Sequence, residues 1–588
     1  MERTAQLPPR FRFRRFELNA RTGELTSSNG KTIGLTQQPA EILLALLERP
    51  GDLITREELV RRLWPTGTFV DFDRSLNKAV NKLREALHDS AERPQFIETL
   101  PRRGYRFIAP VVGVSSDSKR ERSIAVLPFV LLSNIEEERA LSVGFADAVI
   151  TTLSNLEDTV VVPTAAVLNY AAGSDPSCAS CDLGVRYVLQ GNIQKLGTRW
   201  RVSVQLFDGE AQKVALSEKY DFTREDVFEV QDEIGRRIVA SLQNRFPITI
   251  RKSRDRYSRN PQAYSEFISG LQESYSDQPA TLHSAMQHLS SAVECDPKFA
   301  LAHATLSYVC MNMYFTHDSD RSWLQKAEQH CRRALNLDPA LPEGHFAQAY
   351  ILWSPAKNFQ HAEAIAALAE VLRLQPNFEH AHNRLASVCM HIGRLQEAQT
   401  AFEQGQRSNP RNVLSHNINW VYLFCGDFTR AREGVEVWLR ESPRHKYALW
   451  FSPQPPLFMG DLDLADQQLA NAMIQLSNEP LIVSLQGLVY ARRKQADLAL
   501  QCVRRALDFA RSFGHTHHTY YQIASIYAVL GEADKAMVWL ERSVDTGFAC
   551  WPFFRLDPHL ESLRQKPEFT RLVANLQREF DALKIERL

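Results

Sequence analysis

The segment Asp73-Arg74-Ser75-Leu76-Asn77-Lys78-Ala79-Val80-Asn81-Lys82-Leu83-Arg84-Glu85-Ala86-Leu87 places cations and amides at helical spacing. Leu76, Val80, Leu83 and Leu87 recur at three- and four-residue steps and define one apolar face, which turns Arg74, Asn77, Lys78, Asn81 and Lys82 to other sides. Such a helix fits the major groove of a duplex, where Lys and Arg meet phosphates or guanine edges and Asn can read adenine. A mixed Lys/Asn helix serves equally well as a solvated surface, so its neighbours decide. A second basic cluster, Arg102-Arg103, lies between the β-type runs Ile97-Glu98-Thr99-Leu100 and Gly104-Tyr105-Arg106-Phe107. Two further groups carry metal or redox residue types. Cys178-Ala179-Ser180-Cys181 lacks a second pair or histidines at ligand spacing and reads as a lone pair in a loop. His515-Thr516-His517-His518 reads as a polar turn between helices rather than a metal site. With no phosphate loop, no His-Glu-x-x-His pair and no Gly-x-Ser-x-Gly elbow, neither a cofactor nor an enzymatic activity is expected.

The elements around the basic helix give it a setting. Thr55-Arg56-Glu57-Glu58 is a capping box that opens a short helix carrying Leu59, Leu63 and Trp64. An earlier helix, Glu41 to Glu48, ends at the breakers Arg49-Pro50-Gly51-Asp52. At the start, Phe11, Phe13, Phe16 to Leu18, Gly23 to Leu25 and Lys31 to Leu35 predict short antiparallel strands, with Asn29-Gly30 as a turn.

Strands, three helices and a terminal hairpin in that order resemble the effector domain of OmpR/PhoB-type winged helix-turn-helix regulators. The version placed at the N-terminus of CadC-like and HilA-like proteins is the most similar. The resemblance spans roughly residues 10 to 112, through Leu35-Thr36, Arg49-Pro50-Gly51, Thr55-Arg56-Glu57-Glu58-Leu59, Leu63-Trp64, Leu83-Arg84-Glu85-Ala86-Leu87 and Gly104-Tyr105-Arg106-Phe107. It implies double-stranded DNA as partner. Arg74, Ser75, Lys78, Asn81, Lys82 and Arg84 would contact it, with Asn77 beside them, and a wing bearing Arg102, Arg103 and Tyr105 would reach the backbone or minor groove. It also implies that the loop Trp64 to Asp71 faces RNA polymerase.

Charge agrees. Lys plus Arg and Asp plus Glu balance at 69 each over the chain, yet residues 1 to 112 hold 19 basic against 14 acidic side chains, a net of +5. So modest a surplus predicts salt-sensitive binding and adjacent or homodimeric sites. Few residues precede the first strand, so no phosphoacceptor receiver is expected there, and regulation is expected to enter from the C-terminal side.

At 588 residues the chain should divide into several domains. A winged helix over 1–112 is followed by a small, charged linker at 113–122. No window approaches the roughly 18 uncharged apolar residues of a membrane span, and the nine cysteines are scattered, which together predict a cytoplasmic protein without membrane contact. Over 123–245 the strand runs Ser123 to Phe129, Thr159 to Pro163, Arg186 to Ile193 and Arg199 to Phe207 alternate with the helices Gly144 to Leu156 and Val227 to Leu242. This small α/β domain resembles the TolB-N-terminal-like module, which implies no chemistry; a spacer or dimerisation role is expected.

Beyond it, prolines fall at 297, 339, 376, 410, 443 and 480, spaced 42, 37, 34, 33 and 37, and glycines at 393, 426 and 460 repeat inside those units. A period near 34 with a mid-unit Gly and a terminal Pro is a helix-turn-helix repeat. Ala381, Gly393, Ala398, Phe402 and Pro410 in one unit, and Ala524, Tyr527, Gly531, Ala536 and Leu540 in the last, resemble tetratricopeptide repeats over 261–546. About eight helix pairs are expected, then a capping segment over 547–588 in which Trp551-Pro552-Phe553-Phe554 plugs the end. The expected fold is therefore multidomain: winged helix (α+β), small α/β domain, and an all-α superhelix whose concave face holds an unknown protein or peptide. The sequence-level conclusion is a DNA-binding transcriptional regulator. The competing class is a non-enzymatic adaptor whose winged helix contacts protein, which burial of Lys78 or Lys82 would favour.

Overall fold

The computed structural model describes residues 10–13, 16–19, 24–27, 32–49, 51, 53–63, 72–87, 89–91, 94–100, 103–109, 112–114, 122–132, 139–154, 156, 159–168, 170, 173–223, 226–243, 256–276, 278–409, 416–508 and 514–583. They fall into two compact units, Met1–Glu121 and Arg122–Leu588.

The first unit begins with β1 (Arg10–Phe13), β2 (Phe16–Asn19), β3 (Leu25–Ser27) and β4 (Thr32–Ile33), followed by α1 (Gln37–Glu48), β5 (Leu53–Thr55), α2 (Arg56–Leu63) and α3 (Phe72–Leu87). The chain then runs through β6 (Ile97–Leu100), β7 (Gly104–Phe107) and β8 (Val112–Val114). One sheet has the order β4-β3-β2-β1-β8 and the other β5-β7-β6. The residues expected to be linker at 113 and 114 are instead strand, because β8 closes the first sheet against β1, with Arg10 opposite Val114 and Arg12 opposite Val112. Phe13, Phe16, Phe96 and Phe107 pack edge to face or tilted between the sheets and α1, joined by the fully buried Leu43, Leu46, Leu76, Leu83 and Leu87. Burying these side chains supplies the main driving force for the unit.

In the second unit β9 (Ser123–Val126), β10 (Val130–Leu131), β11 (Val160–Val161), β12 (Tyr187–Leu196), β13 (Arg199–Asp208) and β14 (Lys213–Phe222) form a sheet of order β11-β9-β12-β13-β14, with β10 pairing parallel to β12. The helices Arg139–Leu153 and Val227–Gln243 pack with it. The Cys178/Cys181 segment, read as a loop, is the helix Pro176–Asp182 with Asp175 as N-cap. Both thiols are exposed, and the Asp175 carboxylate beside Cys178 pushes its thiol up, away from thiolate chemistry.

Eight helix pairs follow among the described residues, from Pro261–Glu273 with Pro279–Cys295 to Thr516–Val529 with Ala533–Asp545; the first helix of the sixth pair is split at Pro453 into Lys446–Phe451 and Gln454–Met459. The repeats are not tethered loosely to the sheet domain. Tyr257 donates to the buried Asp147 carboxylate at 2.5 Å, Thr164 donates to its other oxygen at 2.5 Å, Gln231 donates to Tyr264 at 3.2 Å and Asn377 donates to the Thr159 carbonyl at 2.8 Å. Burial raises the Asp147 pKa against the lowering effect of these bonds. The sheet domain is therefore docked against the segment that follows it.

The open concave groove expected of the repeats is also absent among the described residues, because the first helices of the pairs converge on one another. Trp420 of the fifth pair lies 4.5 Å from Trp450 of the sixth and 5.9 Å from His518 of the eighth, ring centre to ring centre. Gly514 donates to the Phe315 carbonyl of the second pair at 3.0 Å, and Ala549 donates to the His391 carbonyl of the fourth at 2.8 Å. Phe553 and Phe554 are buried, and Arg394 reaches the carbonyls of Phe580 and Leu583 at 2.9 and 3.0 Å, so the C-terminal segment fills the interior rather than merely plugging an end. A cavity of about 20 Å³ among Trp420, Phe424, Trp450, Gln454, His518 and Tyr521 holds no more than a water.

Candidate nucleic-acid interface

Three local devices aim α3. The capping box forms as its sequence predicts: Thr55 N–H donates to Glu58 Oε2 at 2.8 Å and Glu58 N–H to Thr55 Oγ1 at 3.2 Å, which fixes the start of α2. These hydrogen bonds, with Arg49 nearby, lower the Glu58 pKa. The turn after α1 is tied to the hairpin by Gly51 N–H, which donates to the Phe107 carbonyl at 2.9 Å. After α3 the Asp89 carboxylate collects the N–H groups of Gln95 at 2.7 Å and Ile97 at 2.8 Å, delivering the chain into β6. At the hairpin, a Cβ on Gly104 would lie 2.0 Å from the Ile54 carbonyl oxygen, so only glycine lets β5 and β7 approach there.

On α3, Leu76, Val80, Leu83 and Leu87 are buried, whereas Asn77, Lys78, Asn81 and Lys82 are exposed and Ser75 is half-buried. Helical spacing puts those four exposed residues on one arc opposite the core. Arg103 is exposed in the β6–β7 turn, where its N–H donates to the Leu100 carbonyl at 3.0 Å. Arg74 lies within α3, but its side chain, like Arg102 and the Trp64–Asp71 loop, is outside the described residues.

Two expected contact residues sit elsewhere. Arg84 is 8% exposed and turned onto β6; Nη2 donates to the Ile97 carbonyl at 2.9 Å and to Thr99 Oγ1 at 2.8 Å, pinning α3 to that strand. Tyr105 is buried, and its hydroxyl donates to Asn77 Oδ1 at 2.9 Å while accepting from Arg56 Nη1 at 3.1 Å. Arg56 Nη2 also donates to Asn77 Oδ1 at 2.9 Å. Both lone pairs of that oxygen are thus engaged, which leaves Asn77 only its N–H donors to offer. The sequence reading missed Arg56 as a positioning residue; its place just inside the capping box, under the hairpin, was the available signal.

The supposed polar turn at His515–His518 is instead the buried entry to the helix Thr516–Val529, with His517 and His518 1% and 5% exposed. His391, which no local pattern links to it, lies against it.

Residues 30–107 match the family model for the transcriptional regulatory protein, C terminal; residues 119–237 match the HilA/YgeH-like transcriptional regulator, second domain; residues 356–416 and 517–546 match tetratricopeptide repeats. The chain is 32% identical over 237 residues to the putative adenylate cyclase 3 of Rhizobium meliloti (strain 1021), covering 39% of this chain and 40% of that one. It is 36% identical over 111 residues to the cholera toxin homolog transcriptional activator of Vibrio parahaemolyticus, covering 19% and 38%, and 31% identical over 131 residues to the transcriptional regulator HilA of Salmonella typhimurium, covering 22% and 23%. The chain thus spans 40% or less of the length of these curated relatives. It carries the OmpR/PhoB-type winged helix, a HilA-like second domain and tetratricopeptide repeats.

Proposed function

We propose that this chain is a sequence-specific transcriptional regulator that lays α3 in the major groove of double-stranded DNA. The observation that carries the reading is the exposed Asn77, Lys78, Asn81 and Lys82 arc on a helix whose opposite face is core. Lys78, Lys82 and the wing's Arg103 contact phosphates; Asn81 reads a base edge, with Arg74, Ser75 and Arg102 completing the contact set. Arg84, Tyr105 and Arg56 hold the geometry. Both Lys78 and Lys82 are solvent-facing, which supports DNA over the adaptor reading.

The remaining steps belong to the same proposal. Two chains bind adjacent half-sites, the Trp64–Asp71 loop meets RNA polymerase, and a protein partner of the repeats supplies the signal. Because the first helices are packed inward, that partner docks on the outer helices. Among the described residues no helix is long and apolar enough to cross a membrane, which fits cytoplasmic action. The test is chromosomal binding and RNA abundance in the same cells, with the wild type or the Lys78→Ala, Lys82→Ala, Arg103→Ala variant. Transcripts beside bound fragments should change with the wild type only. Unchanged transcripts beside firmly bound fragments would overturn the regulatory reading.

A further inference from the structure

Four histidines of the fourth and eighth repeats cluster so that three of their ring nitrogens lack a hydrogen-bond partner. His391 closes the helix Glu379–His391, and His515, His517 and His518 open the eighth pair. Their ring centres lie 4.6 to 5.9 Å apart, and one ring nitrogen from each lies within 4.8 Å of those of the others. His391 and His517 are each 1% exposed.

Two backbone carbonyls fix the tautomers. His391 Nδ1 sits 2.7 Å from the Ser387 carbonyl and His517 Nδ1 2.8 Å from the Thr546 carbonyl. A carbonyl only accepts, so both Nδ1 atoms carry the proton and both Nε2 atoms present a lone pair. Both of those Nε2 atoms, and His515 Nδ1, are buried without a hydrogen-bond partner. Two fixed lone pairs and a third ring nitrogen are thus withdrawn from water with nothing to meet them. A carbonyl on the far nitrogen is also the usual outer support of a metal-bound imidazole.

The surroundings say which ion. The walls are aromatic, from Trp353, Phe359, Phe548, Trp420 and Trp450. The Arg384 guanidinium stacks on Tyr350, 3.9 Å from the ring centre, and adds positive charge nearby. Calcium and magnesium demand oxygen ligands, whereas an all-imidazole set suits zinc, nickel or copper. Zinc bonds nitrogen at about 2.0–2.1 Å in a closed tetrahedron, so the four nitrogens need only draw inward.

We propose that His391, His515, His517 and His518 bind one divalent late transition-metal ion, zinc in class, which clamps the fourth repeat to the eighth. The site is independent of the DNA-binding reading, and its test uses no DNA.

Untagged full-length protein is stripped with chelator, loaded with Co²⁺ and desalted. One Co²⁺ per chain with the strong visible absorption of a tetrahedral site, displaced by Zn²⁺, is expected. Zn²⁺ should also raise the unfolding midpoint, as a ligand of the folded state must. His515→Gln, at the half-exposed corner, should weaken retention at least tenfold while keeping the native circular dichroism, and His391→Gln should abolish it. Should His391→Gln fail to fold, the wild-type stoichiometry and His515→Gln decide. No stoichiometric metal on the wild type, or equal retention by the folded variants, would overturn the site. So would loss of the metal in Cys178→Ser, Cys181→Ser with the histidines intact.

Discussion

Replacing Arg84 by Met separates a structural arginine from a DNA-contacting one. In the structure one guanidinium nitrogen makes two hydrogen bonds, to the Ile97 carbonyl at 2.9 Å and Thr99 Oγ1 at 2.8 Å, in a side chain 8% exposed. Hydrogen bonds from a charged donor contribute about 1.5–3 kcal/mol each, and the substitution leaves the Ile97 carbonyl unmet. Against this, methionine fills much of the volume, and a buried guanidinium whose Nε has no partner no longer has to be desolvated. The net expectation is a loss of about 2 kcal/mol, which lowers the unfolding midpoint of a unit this small by roughly 10 °C. Calorimetry of the full chain should show the Met1–Glu121 transition moving and the Arg122–Leu588 transition unmoved. Once folded at low temperature, the variant should bind DNA with an unchanged dependence on salt. An unmoved midpoint together with a salt dependence reduced by about 0.9 in log–log slope, the signature of one lost phosphate contact, would refute the assignment and return Arg84 to the interface.

Lys78→Ala with Lys82→Ala should do the opposite: unchanged midpoints in calorimetry, and a log–log salt slope smaller by about 1.8 in fluorescence anisotropy titrations. Tyr257→Phe removes one donor to the buried Asp147 and should destabilise the Arg122–Leu588 unit by about 1–3 kcal/mol in urea unfolding, whereas a neutral result would mean that the domain docking does not depend on this bond. The His380 pKa is held down to about 4 from an ordinary 6.5, first by burial and then by Arg384. The unfolded state therefore takes up a proton that the folded state refuses, and stability falls as pH is lowered from about 6.5 toward 4. Urea unfolding of metal-free protein should show His380→Gln flattening that slope by on the order of 1 kcal/mol per pH unit.

The winged helix was legible because its signals are local. The leucine spacing of α3 and the Thr55–Glu58 capping box each lie within one or two turns, and both form as their spacing requires. The repeats were legible because a proline and glycine period survives whatever the packing does. What escaped depends on contacts between distant segments. Arg84 looks like a groove residue until β6 folds beneath it, and Val112–Val114 looks like linker until β1 supplies a partner. The strand Lys213–Phe222 was passed over because it is an edge strand with Lys213, Lys219 and Asp221 exposed and Glu218 interrupting the apolar face of Leu216, Tyr220 and Phe222, which blurs the alternation. The inward closure of the repeats follows from Trp420, Trp450 and the fold-back of Phe553 and Phe554, none of which a repeat period reveals. His391 joins His515, His517 and His518 only through that closure.

The most direct test of the account is genomic fragment selection by the full chain at two salt concentrations, beside Asn81→Ala and the Lys78→Ala, Lys82→Ala pair. The account predicts a defined recovered motif for the wild type, relaxed preference at one base position for Asn81→Ala, and uniformly weaker, less salt-sensitive binding for the lysine pair. Recovery of the same motif at the same strength by all three proteins would contradict it, since α3 would then not be the element that reads DNA.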